Sequence, residues 1–489
     1  MASISKQTLG VELEFLVFYK TPGALVSTND DARYGPVIEA PLDIPVPPGF
    51  TVEQGVDWRQ ALEAAWVRQQ VANVITNSGF VAKENCLPEE VEAGHTWNVV
   101  PDRSLKVSEA EINAIYQPLK YVGVEVQSPA FVAGPVAFFE ISSVVKAINS
   151  AFRTAVPPVC GLHIHVGRGG VPLELRPVQR TASLIWVAEN LLSTLHPGCR
   201  IGNSDCLDMK HYSNLSLGLS AEGSTPASIG LRERQHAAYT DDRVDKNREK
   251  PTNFQYTPPA KLTANFRTTP SRSLAGDYGV LMYDPRKEIT PGYHPIVGVQ
   301  SILRCTDTMT IADMLGIGFE NVAYSFVNME LQEEPEDRNP TIEFRQATGS
   351  LDEDWVVVWA KICLALCGPA VVDSADDDFF QLLYDCLRSG KEYKYNVLDL
   401  LHDIGITNED IAFVHHRLVT GRHEREPVLP FHRPDDCPGG LLDEGYVFGW
   451  HKLPQEYGAL NEEDEASNED DASDEESDED ADMFDEPWY

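Results

Sequence analysis

The pattern that most constrains this chain is the N-terminal run TLGVELEFLVFY, residues 8–19, where two glutamates sit two residues apart inside an apolar, β-branched segment. Side chains alternate faces along a strand, so Glu12 and Glu14 share one face and Val11, Leu13 and Phe15 the other. That face is either wet or a site. Three later segments repeat the device. GVEVQSP sets Glu125 against Val124 and Val126, GLHIHVG sets His163 and His165 against Leu162, Ile164 and Val166, and TIEFRQ sets Glu343 and Arg345 against Ile342 and Phe344. WNVVPDRSL adds Asp102 at a strand end. Taken singly, a paired glutamate reads as a strand edge, HxH as satisfied histidines and EFR as a salt-bridged pair. A solvated sheet face scatters Lys, Thr, Ser and Gln, whereas these strands carry carboxylates, imidazoles and a guanidinium. If the four strands are neighbours, that is the inventory of a reactive site.

Electrostatics sharpen the reading. Two carboxylates about 7 Å apart along a strand repel by about 2 kcal/mol at an effective dielectric near 20. A concave face holding several of them is stable at neutral pH only if it raises carboxylate pKa values or binds cations. Oxygen-rich ligation with one or two imidazoles suits Mg²⁺ or Mn²⁺ better than structural zinc. The sequence contains no GxxxxGK[ST] phosphate loop, HExxH, GxSxG or kinase motif set, and LGIGFEN at 315–321 offers only a GxG fragment that reads as a turn. A nucleotide would therefore be held by metal ions and arginines. Arg345, Arg168 beside Gly167, and Arg200 are the candidates, with the basic stretch 232–272 as a closing element.

The chain reads as α+β. Residues 20–52 form a Pro/Gly/Asp/Asn-rich insertion, 57–77 a helix, and GFVAKEN, TWNVVPDRSL and YVGVEVQSPAFV a strand-rich stretch. Helices follow near 139–153 and 177–195, then a polar insertion at 200–300, and a helix from 351 for which Ser350 and Glu353 read as a capping box. The organisation expected is a catalytic domain at 1–375, a helical extension at 376–460 and an acidic tail at 461–489. Residues 462–486 carry sixteen acids and no base, so much of the net charge of −37 belongs to the tail, which reads as disordered. Phe484, Trp488 and Tyr489 could dock a protein partner, and Ser467, Ser473 and Ser477 lie in acidic contexts.

Such a chain is a poor ligand for nucleic acid or anionic membranes, which attract clustered Lys and Arg. The N-terminus lacks a signal-peptide pattern, and the most apolar segment, 355–372, contains Lys361 and reads as too short to span securely. Nine cysteines without CxxC pairs suit reduced thiols in the cytoplasm, with Cys363 and Cys367 as core residues.

The ordered motifs GVELEF, WNVVPDRSL, GVEVQSP, GLHIHVG, YSFVN and TIEFRQATGSLD resemble, over about residues 8–370, an amidoligase family common in fungi and placed with the carboxylate–amine ligases of the glutamine synthetase and gamma-glutamylcysteine ligase type. The resemblance implies a glutamine-synthetase-like antiparallel sheet with helices on one face, cupping ATP and divalent ions. In such enzymes ATP phosphorylates a carboxylate and an amine displaces phosphate to form the amide. It implies metal roles for Glu12, Glu14, Glu125, His163 and His165, catalytic roles for Glu343 and Arg345, and substrate or nucleotide contacts at Asp102 and Asn328. Many relatives carry His where this chain has Ala347, and if that His contacts substrate, specificity or activity differs here. The substrates expected are a small-molecule or peptide carboxylate and an amine. Two other readings stay open: a metal-dependent hydrolase using the HxH and glutamate groups, and a non-catalytic nucleotide- or peptide-binding relative.

Overall fold

The computed structural model describes residues 7–24, 35–47, 50, 52, 57–86, 95–105 (103 apart), 119–197, 200, 206–216 (214 apart), 255–256, 281–282, 295–316, 322–326, 340–387, 389 and 395–420. Asn328, most of the 200–300 insertion and the acidic tail lie outside them. The strands are β1 (Thr8–Lys20), β2 (Ile38–Glu39), β3 (Ala82–Glu84), β4 (Trp97–Val100), β5 (Lys120–Gln127), β6 (Phe131–Val132), β7 (Thr154–Ala155), β8 (Gly161–Gly167), β9 (Gln255–Tyr256), β10 (Leu281–Met282), β11 (Tyr324–Ser325) and β12 (Thr341–Thr348). The helices are α1 (Trp58–Asn77), α2 (Pro135–Ala151), α3 (Leu175–Ser193), α4 (Met209–Tyr212), α5 (Pro295–Arg304), α6 (Thr308–Leu315), α7 (Glu353–Leu366), α8 (Pro369–Val372), α9 (Asp376–Leu387), α10 (Val397–Asp403) and α11 (Asn408–Thr420).

The main sheet runs β11-β12-β8-β1-β5-β4-β3, with β2, β6 and β7 also paired to β1. It is antiparallel from β11 through β4, but β3 pairs parallel to β4 and β2 parallel to β1, so the sheet is mixed and not wholly antiparallel as expected. β1 lies at its centre because its odd positions form a continuous apolar stripe. Leu9, Val11, Leu13, Phe15, Val17 and Tyr19 are buried in one core with Val71 and Ile75 of α1, Val144 and Ile148 of α2, and Trp355 and Trp359 of α7. Even positions face the other way. Glu12 and Glu14 come first, and then Leu16 and Phe18 close that face with Leu119 and Ala155. The polar patch is thus bounded by a small second core farther along the same strand.

The helix α7 begins two residues later than the sequence suggested, and its cap is Asp352, not Ser350. The Asp352 carboxylate accepts from the amides of Asp354 and Trp355, at 3.1 and 3.2 Å, while Ser350 Oγ accepts from the amide of Asp352. Aspartate caps as well as serine does and adds charge at the positive end of the helix dipole. The segment 353–372 is long and apolar enough to cross a membrane by composition, contrary to the expectation from its length, but 56% of it is buried inside the protein. Trp355, Trp359, Ile362 and Cys363 are core residues there. The helices beyond 375 pack onto this body: Arg180 of α3 reaches the carbonyls of Val371 and Ser374 and the carboxylate of Asp376, and Arg417 of α11 pairs with Asp352 at 3.2 Å.

Because Asp352 both caps α7 and meets a buried guanidinium, Asp352→Ala is expected to destabilise the protein by about 3 kcal/mol. Asp352→Asn, which keeps the cap and loses the charge, should cost less. Urea unfolding of the two variants measures the difference.

Candidate functional site

The register brings the polar residues of four strands into rows. Across β8, β1, β5 and β4 one row reads His163, Glu12, Gln127, Asn98, and the next places Glu14 opposite Glu125. On the other side His165 pairs with Gly10 of β1 and with Glu343 of β12. Gly10 faces the imidazole, but a Cβ there would make only an ordinary contact with His165 Cβ at 3.4 Å. Gly161 is a true steric requirement. A Cβ on it would lie 2.9 Å from His163 Cδ2 and closer still to Nε2, so only glycine lets the His163 ring fold back towards Glu14.

His163 is buried amid carboxylates, with Nδ1 3.1 Å from Glu12 Oε2, Nε2 3.4 Å from Glu14 Oε1, and Nδ1 3.8 Å from Glu343 Oε1. His165 Nε2 lies 3.3 Å from Glu12 Oε1, close enough for an ion pair, yet it makes no aligned hydrogen bond. Glu14 accepts the Gly161 amide at 2.6 Å, and Arg345 Nη1 donates to Glu343 Oε1 at 2.6 Å while its buried Nε has no partner. Two groups of potential cation ligands result: Glu12, His165 and Glu343 in one, and Glu14, Asp102 and Glu125 in the other, the ligand atoms of each lying within 4.8 Å of one another. Asp102, at the end of β4, is fixed by Ser104, whose amide and hydroxyl both donate to it at 2.7 Å. His163 belongs to neither trio and stands between them.

Protonation follows from this crowding. Burial pushes the Glu125 carboxyl up to about 8, reinforced by the charge of Glu12. Burial raises Glu14 as well. Burial would lower His165, but the charges of Glu12 and Glu343 push it up to about 9. For Glu12, burial pushes upward and is outweighed by the His165 charge and the His163 hydrogen bond, which hold it well below the usual carboxylate range.

Two arginines proposed from sequence are engaged by other protein groups. Arg200 is buried and donates only to carbonyls among its hydrogen bonds, those of Arg345 at 2.8 Å, Pro158 at 3.3 Å, Gln346 at 3.4 Å and Cys160 at 3.5 Å. Its guanidinium therefore braces β12 against β8 and is not presented to a ligand, although its charge favours ionised Glu14. Arg168 lies past the end of β8 and pairs with Glu174 at 3.1 Å.

Position 347 also differs from expectation. The β12–β8 register shifts between Phe344 and Ala347, so Arg345 and Gln346 together oppose His163. This bulge turns Ala347 into the core beside Phe344 and Leu162, away from the carboxylates. Strict alternation from Glu343 would have left it on the polar face. The sequence reading overlooked Asn98 and Gln127, which alternate in phase with Asp102 and Glu125, and Thr341, whose Oγ1 lies 3.3 Å from His165 Nδ1.

A family model described as "Putative amidoligase enzyme" matches residues 5–278. That span holds β1, β5 and β8 and ends before β12, so Glu343 and Arg345 join the site through the fold and not through the matched segment. Nothing among the curated proteins or the solved structures matches the chain.

The raised values of Glu125 and His165 set the site's own contribution to the pH dependence of stability. Glu125 holds an extra proton in the folded state between its ordinary 4.5 and about 8, and His165 between 6.5 and about 9. At these two groups the folded state thus binds more protons than the unfolded one, and their contribution to stability falls as pH rises through that window. Thermal unfolding should show the wild-type midpoint falling more steeply than that of Glu125→Gln between about pH 5 and 9, and about 10 mM Mg²⁺ or Mn²⁺ should suppress the difference by taking the place of the protons. Gly161→Ala should displace His163 and weaken Mn²⁺ binding by about tenfold in calorimetry.

Proposed function

The chain belongs to the amidoligase family, whose activity joins a carboxylate to an amine, and we propose that it does so with ATP, through an acyl phosphate, on the sheet face bearing Glu12, Glu14, Glu125 and Glu343. The observation that carries this reading is the convergence of ionisable side chains from β1, β5, β8 and β12 on that face. We read the sheet as a glutamine-synthetase-like cup.

The residues present fit divalent cations. His165 Nε2 is buried without an aligned hydrogen bond and faces Glu12, which suits a lone-pair donor to a metal, and Glu14, Asp102 and Glu125 are an all-oxygen set. Glu12, His165 and Glu343 would hold one Mg²⁺ or Mn²⁺, and Glu14, Asp102 and Glu125 a second. Bound cations supply neutralisation of phosphate charge during transfer.

The chain's own residues account for the rest. Carboxylate and γ-phosphoryl group are both anions, so a fixed cation must offset the charge that builds up as they meet. Arg345 is tied at Nη1 to Glu343, and its partly exposed guanidinium is the cation placed to meet a phosphoryl oxygen. Arg200 keeps β12 seated on β8 and so holds Arg345 over His163. His163, between Glu12 and Glu14, keeps the two carboxylates apart in fixed orientations.

Calorimetry should show saturable ATP binding that requires Mg²⁺ and fails in Glu12→Gln and Arg345→Ala. Phosphate release should require a carboxylate and an amine together, and Arg345→Ala should slow it by about 100-fold. Absence of ATP binding, with hydrolysis of an amide by the metal-loaded protein, would replace the ligase reading with the hydrolase one.

A further inference from the structure

Glu125 is the terminus of a chain of directed hydrogen bonds that begins at the backbone. Cys86 N–H donates to Asn98 Oδ1 at 2.8 Å, Asn98 Nδ2 donates to Gln127 Oε1 at 3.0 Å, and Gln127 Nε2 donates to Glu125 Oε1 at 2.7 Å. Either side-chain amide alone could be turned over, exchanging donor for acceptor. A backbone N–H can only donate. Cys86 therefore makes Asn98 Oδ1 the acceptor, which leaves Asn98 Nδ2 to donate, Gln127 Oε1 to accept and Gln127 Nε2 to meet the carboxylate.

The start of the relay is conformationally unusual. Among the described residues Asn85 is the one non-glycine with positive φ, at 51°. Asparagine tolerates this left-handed conformation better than most residues, and such strain persists where the surroundings hold it. Asn85 N–H donates to Val99 O at 2.9 Å, continuing the contact with β4, and the left-handed turn then directs the next N–H, that of Cys86, to the Asn98 side chain.

We propose that Asn98 and Gln127 are positioning residues that fix Glu125 as a one-oxygen ligand of the second cation site. With Oε1 engaged by the Gln127 amide, Oε2 is the oxygen left for a cation shared with Glu14 and Asp102. Ligating carboxylates held by such outer partners bind metal about 10- to 100-fold more tightly than unsupported ones. The inference rests on reading Glu14, Asp102 and Glu125 as a cation site, and its own content is the direction of the relay.

The test is Mn²⁺ binding to the full chain, followed by calorimetry and by the electron paramagnetic resonance of free Mn²⁺, with thermal unfolding as the control for folding. Wild type should bind two ions and Glu125→Gln one. Gln127→Met, which keeps the length and removes the donor, should weaken that same site about tenfold and leave the other unchanged. Asn98→Asp never touches Glu125, but its second oxygen cannot donate to Gln127. The Gln127 amide should then turn over and present oxygen to Glu125, weakening the site as much as Gln127→Met does. The double variant should be no worse than either single one, because both act through one chain. Two bound ions in wild type with unchanged affinity in Gln127→Met, or additive losses in the double variant, would overturn the relay while leaving the cation site standing. No Mn²⁺ bound by wild type, or two still bound by Glu125→Gln, would overturn the cation site and the relay with it.

Discussion

The structure depends on how one strand face tolerates its own charge. Glu12 and Glu14 lie on the same side of β1, with Glu125, Glu343 and Asp102 beside them, in a patch that is largely buried. Each close pair in such a setting costs about 2 kcal/mol or more, and several costs of this size would rival the whole stability of an ordinary domain. The protein answers with opposite charge and with protons. His163 and His165 are interleaved among the glutamates, Arg345 is bonded to Glu343, the Arg200 guanidinium lies close to Glu14, and Glu125 keeps its proton to higher pH. Each device except Arg200 can be exchanged for a cation. A patch balanced in this way is stable without cations and can be recharged by them, which the proposed joining of two anionic substrates would require.

The same constraint dictates details of backbone and sequence that otherwise look incidental. The His163 imidazole reaches the carboxylates only because position 161 lacks a Cβ. The bulge in β12 places Arg345 and Gln346 against His163, and buried Arg200 holds it by donating to the carbonyls of both. Gln346 in turn bonds the hydroxyl of Tyr324 and donates to Ser193 at 2.7 Å, fastening the bulge to β11 and to the end of α3. The strand β12 is therefore held between β11 and β8 at the point where its catalytic candidates leave it.

Much of this was legible in the sequence, for a definite reason. Period-two alternation is a property of the strand itself, so the polar and apolar faces of β1, β5 and β8 could be read residue by residue, and the apolar halves form the core as alternation requires. Two kinds of fact were not local. Alternation fails at a bulge, so extending the Glu343–Arg345 face by two residues would misplace Ala347, which is a core residue. Partners remote in sequence were equally hidden: Arg200 looked like a free cation because nothing near it in the chain indicates the four carbonyls that occupy it. The cap of α7 was misplaced more simply: Ser350 and Glu353 complete the capping-box pattern, but Asp352 is an equally good cap residue and the backbone geometry chooses it.

Asn98 and Gln127 show where sequence reading could have gone further. Both were in phase with Asp102 and Glu125, but neutral amides look like ordinary surface polarity until their hydrogen bonds acquire direction. Direction comes from one backbone N–H, and that N–H is aimed by a left-handed asparagine at the end of an edge strand. The strain at Asn85 therefore has a consequence three residues of hydrogen bonding away, at a carboxylate it never touches. A charged patch that must hold its geometry both with and without cations needs such neutral struts, because ionic partners alone would rearrange each time the charge on the patch changed.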